Sequence, residues 1–342
     1  MRQEIIVLNE ARNVTLTAYI QETAGEFQFA KRPAMLVIPG GGYTMCSDRE
    51  ADPVALAYMK AGYQAFVLRY STGSNKKWPN PLDDYEQAME LIRAKADEWY
   101  LDANRICAVG FSAGGHLCAC AATIAKNKPA AAILVYPAIL KDICDMCQPG
   151  MPYPHEYVTN ETSPCFLVAA RDDRTVDIKN SLTMQLALAD KGIPFESHIY
   201  SYGGHGFSTA EDWIVTNSVS SRVPNWVADS ISWLKEMLGT LTTKGFTEPN
   251  IAVSVNGDSA PVLSVACTLN HIRKQSEAVQ SIMKPLYDGM RVVAESRSYS
   301  MEGLMAVVGN NTVRELMEMV QVNETTIQDI DRMLHGIVNK IS

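Results

Sequence analysis

The sequence predicts an α/β protein: a mostly parallel sheet covered on both faces, followed by a small all-helical module. Three observations carry this. Apolar runs of strand length alternate with stretches of helical spacing over roughly residues 1–240. The runs, such as AMLVI at 34–38, are apolar throughout, as strands buried on both faces must be. Beyond about residue 240 the strand-like runs stop and apolar residues recur at steps of three and four.

The elements follow in order. EIIVLN and VTLTAYIQE read as two early strands, an antiparallel start to the sheet. PAMLVIPG is a buried strand feeding a glycine loop. A helix around 50–61 leads to the strand QAFVLRY. PLDDYEQAMELIRAKADEWY has helical spacing, with Pro81 in its first turn, where a missing N–H costs nothing. RICAVGF is a buried strand running straight into Ser112, and AGGHLCACAATIAK is a helix of small residues. AAAILVYPAI and PCFLVAARDD are two more buried strands. DIKNSLTMQLALADKG is a helix closed by Gly192, FESHIYSY an alternating strand, and NWVADSISWLKEMLG an amphipathic helix closed by Gly239.

The α/β domain is thus expected at 1–240, a linker at 241–260 (LTTKGFTEPNIAVSVNGDSA) and a three- or four-helix module at 261–342. In the module Leu269, Ile272, Val279, Ile282, Met283 and Leu286 share a face. Thr312 and Glu315 form a capping box ahead of Val313, Leu316, Met317 and Val320. Ile327, Ile330, Leu334, Ile337 and Ile341 repeat at steps of three and four.

Bulk properties exclude some roles. A net charge of −8 argues against nucleic acid or an acidic membrane surface as partner. MRQEIIVLNE has acidic residues and no apolar run of signal length, so the expected location is cytoplasmic, with no membrane span. Cys46, Cys107, Cys118, Cys120, Cys144, Cys147, Cys165 and Cys267 lie mostly within apolar runs and read as reduced core residues. Cys144 and Cys147 make a lone C-x-x-C without a second pair, so no metal site is expected.

The residues that could do chemistry gather at predicted carboxyl ends of strands, where open α/β sheets place their sites. In GFSAGGH, Ser112 sits between strand and helix with Gly110 and Gly114 around it. A nucleophile on a tight turn needs such neighbours, and the Ala113 N–H follows at the positive end of the next helix. In IPGGGY, at 38–43, three glycines let backbone N–H groups approach a substrate carbonyl. Of six histidines, His205 in YGGHGF follows the last strand and is free to enter a cleft. His116 lies one turn into the small-residue helix and reads as a packing residue, and His155 in MPYPHEY is a pocket candidate. His198 lies within a strand, and His271 and His335 belong to the helical module. The acid stands at the end of PCFLVAARDD, where Asp172 and Asp173 point different ways; local spacing does not choose between them.

PGGGY at 39–43, the stretch 78–117 containing GFSAGGHL, TSPCFLVAARDDRTV at 162–176 and YSYGGHGFS at 200–208 run in an order that resembles the α/β-hydrolases. The resemblance is to the acetyl esterase and carbohydrate-esterase-like branch, over roughly residues 1–240. It implies an acid three positions before a valine, which Asp173 and Val176 satisfy; the proline that usually follows is Asp177 here. It implies a triad of Ser112, Asp173 and His205, and oxyanion donors from Ala113 and from Gly41 or Gly42; Tyr43 and His155 are pocket candidates beside them. In the glycine loop Pro39 stands where the commoner version has histidine. The implied activity is hydrolysis of short acyl esters, often acetyl groups on sugars, with no cofactor; with no signal-like segment in MRQEIIVLNE, the expected substrate is an imported acetylated oligosaccharide. A general carboxylesterase, a feruloyl esterase, a serine peptidase and a non-catalytic binding protein are the rivals. The tail is weakly similar to helical modules on carbohydrate-active enzymes, and its expected role is dimerisation, capping of the site, binding of another protein or a stabilising add-on.

Overall fold

The computed structural model describes residues 1–23, 26, 29–249 and 257–339. The chain divides into two compact units, Met1–Val253 and Ser254–Ser342.

The first unit is built on an eight-stranded sheet in the order β1-β2-β4-β3-β5-β6-β7-β8. The strands are β1 (Arg2–Asn9), β2 (Val14–Ile20), β3 (Arg32–Ile38), β4 (Gln64–Arg69), β5 (Leu101–Phe111), β6 (Ala132–Val135), β7 (Cys165–Ala170) and β8 (Phe195–Tyr200). β2 runs antiparallel to β1 and β4, and β3 to β8 are mutually parallel. This is the antiparallel start and parallel body expected of the sequence.

Strand periodicity explains why the central strands are apolar on both sides. In β3, Ala34, Leu36 and Ile38 join one core, with residues of α2 (Asn80–Ala94), α3 (Ser112–Thr123) and α5 (Lys179–Asp190). Met35 and Val37 join the other, against α1 (Asp52–Lys60) and α6 (Asn225–Leu238). Both faces are therefore dry, and each buried Leu or Val contributes about 1.5–3 kcal/mol. Pro81 lies in the first turn of α2, and Gly239 ends α6 at a φ of +85°.

One helix was not read from the sequence: α4 (Lys141–Cys147), seven residues that carry the C-x-x-C. All eight cysteines are free thiols. Burial pushes the Cys144 thiol up to about 12.

The order of the sheet positions the site. β4 lies outside β3, and β5 returns to its other side, so the order in which strands are added reverses between β3 and β5. Ile38 and Gly110 are register partners there, which brings the glycine loop after β3 beside Ser112 after β5.

Past α6, part of the expected linker is structured. β9 (Leu241–Thr242) and β10 (Gly245–Phe246) pair as a short ribbon, and the Arg105 guanidinium lies 4.1 Å from the centre of the Phe246 ring. Residues 250–256 of that stretch lie outside the described residues. The second unit has six α-helices among the described residues, where three or four were expected: α7 (Leu269–Ile272), α8 (Glu277–Ile282), α9 (Lys284–Ser296), α10 (Met301–Val308), α11 (Val313–Met319) and α12 (Glu324–His335). Repeated capping explains the larger number. Thr268, Ser300, Thr312 and Asn323 each accept a backbone N–H three residues on, and each restarts a helix. The Thr312–Glu315 capping box is present, and Leu269, Ile272, Val279, Met283, Leu286 and Leu316 share one core. Ile282, Val320 and Ile337 are half-buried against it, and Ile341 lies outside the described residues. Among the described residues no helix is long and apolar enough to cross a membrane.

Candidate active site

Ser112 stands where β5 turns into α3, at a φ of +52°, a left-handed conformation that a non-glycine residue adopts only when its surroundings enforce it. The glycines around it make the turn possible. A Cβ on Gly110 would run into the Gly114 carbonyl, and one on Gly114 would strike the carbonyl oxygens of Ile38 and Pro39. The strand, the helix and the glycine loop therefore meet at a distance that admits no side chain.

His205 comes from the loop after β8. Its Nδ1 lies 2.6 Å from Asp173 Oδ2 and its Nε2 lies 2.9 Å from Ser112 Oγ. An ionised carboxylate only accepts, so Nδ1 carries the proton and Nε2 is left to accept from the serine hydroxyl. The Asp173 side chain is 1% exposed. Its Oδ1 accepts the N–H groups of Thr175 and Val176 at 2.8 and 2.9 Å, which gives the D-x-x-V spacing a physical basis: the turn folds back onto the carboxylate.

The adjacent aspartate has a different task. Asp172 Oδ1 accepts from the N–H groups of Gly203 and Gly204 at 2.9 and 3.0 Å and so anchors the loop that bears His205. The Gly204 N–H foremost, with that of Gly203, holds its carboxyl below the usual range. Asp177, in the place of the usual proline, accepts from the Lys179 N–H at 2.8 Å and leads into α5.

Gly41 and Gly42 follow β3 at φ values of +128° and +59°. Among the described residues, no internal acceptor takes the N–H of Gly41, Gly42 or Ala113. These three residues line a cavity of about 310 Å³ together with Ser112 and His205. Its walls are mainly apolar, from Met45, Ala138, Ile143, Met146 and Val176. Arg49, Glu50 and Thr175 supply polar edges.

Two sequence-predicted pocket residues lie elsewhere. Tyr43 is 1% exposed and does not line the cavity. Its hydroxyl meets His116 Nδ1 at 2.7 Å, and His116 Nε2 meets the Pro152 carbonyl at 2.8 Å. A carbonyl only accepts, so Nε2 carries the proton and Tyr43 donates to Nδ1. Burial pushes the His116 pKa down to about 4, so the ring is neutral. Tyr43 thus ties the glycine loop to α3. His155 lies in a single 3-10 turn, Pro154–Tyr157, outside the cavity lining.

Sequence reasoning missed Glu50 and Tyr136. Glu50 is 4% exposed and accepts from the Gly40 N–H at 2.9 Å and from the Tyr136 hydroxyl at 2.6 Å. Tyr136 immediately follows β6, and its ring centre lies 4.8 Å from that of His205. Its position at a strand's carboxyl end was the available signal.

Comparison with known proteins places the fold. MGS-M1, an α/β-hydrolase enzyme from a Medee basin deep-sea metagenome library, is 36% identical, covering 70% of this chain and 98% of that one with a TM-score of 0.65. The chain belongs to the α/β-hydrolase family. The BD-FAE family model matches residues 24–136. An acetyl ester-xyloside bifunctional hydrolase from Caldicellulosiruptor lactoaceticus is 30% identical, covering 68% of this chain and 96% of that one with a TM-score of 0.60. An acetylxylan esterase of Xylanibacter ruminicola is 29% identical over 241 residues, 62% of this chain and 50% of that protein. These relatives put the chain in an esterase-like branch of the family. The chain spans 33% and 50% of the lengths of the first two curated relatives it matches.

Proposed function

We propose that this α/β-hydrolase is a serine esterase that removes short acyl groups, acetyl foremost, from carbohydrate esters. One observation carries the chemistry: the unbroken hydrogen-bonded series Ser112–His205–Asp173 beside a cavity lined by Gly41, Gly42 and Ala113. His205 Nε2 takes the Ser112 proton as Oγ bonds to the ester carbonyl carbon. Asp173 holds the imidazole in the required tautomer and offsets its positive charge. The free N–H groups of Ala113 and of Gly41 or Gly42 stabilise the oxyanion. His205 then gives its proton to the leaving alcohol. Water attacks the acyl-enzyme by the same route in reverse and releases the acid.

The substrate class rests on size and kinship. A cavity of about 310 Å³ with apolar walls suits a short acyl group and part of one sugar. The relatives described as an acetylxylan esterase and an acetyl ester-xyloside hydrolase point to acetyl on a sugar.

The test is turnover of 4-nitrophenyl acetate and of acetylated xylo- and manno-oligosaccharides, the latter read by mass loss per acetyl group. Ser112→Ala is expected to lower kcat by roughly 10⁵-fold or more, as loss of a triad nucleophile does. Full activity in that variant would overturn the mechanism. Turnover of 4-nitrophenyl acetate with none of the sugars would leave a general carboxylesterase.

A further inference from the structure

A buried carboxylate joins the two loops that the proposed mechanism needs at a fixed separation. Glu50 stands in a single 3-10 turn before α1, outside every motif of the triad. Its Oε2 accepts from Gly40, whose neighbours Gly41 and Gly42 carry the free N–H groups. The contact is close: a Cβ on Gly40 would lie 2.7 Å from that oxygen and 3.0 Å from Ser112 Cβ. Its Oε1 accepts from Tyr136, whose hydroxyl in turn accepts the Ser208 N–H at 3.0 Å. Ser208 lies three residues past His205, and its own hydroxyl donates to the Arg49 carbonyl at 2.6 Å, which closes the circuit beside Glu50. Trp226 Nε1 donates to the Ser208 carbonyl at 2.9 Å and holds the far side.

We infer that Glu50 and Tyr136 are positioning residues, a tie that sets the oxyanion loop and the histidine loop at one spacing across the Ser112 hydroxyl. The inference rests on the esterase reading above. Both oxygens of Glu50 accept, which is the pattern of an ionised carboxylate. Burial pushes its pKa up, while Tyr136 and Gly40 pull it down by hydrogen bonding to the charged form. Glu50 and His205 both line the cavity, and Tyr136 touches each; positive charge develops on His205 as the serine proton is taken. Tyr136 is not among the cavity-lining residues, and Glu50, at the cavity's edge, has both carboxylate oxygens engaged by Gly40 and Tyr136. Their effect therefore belongs to the transition state, where the loop donors act.

The experiment is a double-mutant cycle of Glu50→Gln and Tyr136→Phe on 4-nitrophenyl acetate, with thermal midpoints measured in parallel. Glutamine keeps the volume and an acceptor for Gly40 but gives the Tyr136 hydroxyl no acceptor. Phenylalanine keeps the ring against His205 and removes the hydroxyl, so it tests the tie even where Glu50→Gln folds poorly. Each single variant is expected to lower kcat by roughly 10- to 100-fold with KM within about twofold, the scale of a misplaced donor. The double variant should lose no more than the worse single, because both break one connection. Unchanged kcat in the singles, or effects that multiply in the double, would overturn the tie. Ser112→Ala on the same substrate separates the two readings: if it is inactive, such results refute the tie alone, and if it stays active, the esterase mechanism fails and the tie with it.

Discussion

The two compact units use polar side chains differently. In the first, polar groups connect elements remote in sequence: Glu50 with Tyr136, Tyr43 with His116, and Asp173 with His205. All of these lie near the carboxyl ends of parallel strands. In the second, most capping groups act three residues away, as Thr268, Ser300, Thr312 and Asn323 do. Its longer connections include those from Asn339 to the carbonyls of Asp258 and Ala260 and from the Val265 N–H to Asp331, which bring the two ends of that unit together. Local caps make helices begin. Long-range polar ties fix the relative positions of loops, and a catalytic arrangement requires the latter.

The largest test of this contrast removes one long-range tie without changing shape. Asp173→Asn is expected to lower kcat by about 10⁴-fold, because an amide facing Nδ1 favours the wrong imidazole tautomer. Secondary structure measured by circular dichroism should be unchanged. An active Asp173→Asn variant would mean that the tie does not serve chemistry.

A second test applies the opposite damage. Leu316→Ala in the core of the helical unit should cost about 2–5 kcal/mol of that unit's stability, as buried leucine truncations do. Calorimetry should show an earlier transition for this unit alone. Every residue of the proposed mechanism lies in the first unit, so kcat/KM below that transition should not change. A parallel loss of activity would show that the helical unit contributes to the site.

The same contrast governs what could be read from the sequence. The capping box at Thr312 was legible because its partners are three residues apart. Ser112 was legible because a strained turn demands glycines that the chain cannot hide. The choice between Asp172 and Asp173 needed the valine three residues on, whose N–H bonds the acid. Glu50 was not legible, because nothing local marks a glutamate whose partners, Gly40 and Tyr136, come from two other loops. Tyr43 was misplaced for a related reason. It follows the glycines of the loop, but at a φ of +58° it is buried against His116, a contact spanning 73 positions. The short α4 escaped notice because seven mixed residues give no clear period, yet Ile143 and Met146 from it form a cavity wall.

His116 offers the finest measurement, because its tie can be titrated without breaking a catalytic contact. The folded ring is neutral, with its pKa pushed down by burial to about 4 from an ordinary 6.5. The unfolded chain therefore binds a proton between these values that the folded chain does not. The stability contributed by the neutral ring is fully present above about pH 6.5 and is lost as pH falls towards 4. The total is about 3 kcal/mol. Other carboxylates titrate over the same range, so the quantity to read is a difference. The unfolding free energies of wild type and His116→Gln, measured by denaturant at pH 7 and pH 4, should converge by about that amount at the lower pH. A gap that does not change with pH would mean that His116 binds its proton equally in both states. The Tyr43–His116–Pro152 series would then not be the neutral, fully bonded link that holds the glycine loop against α3.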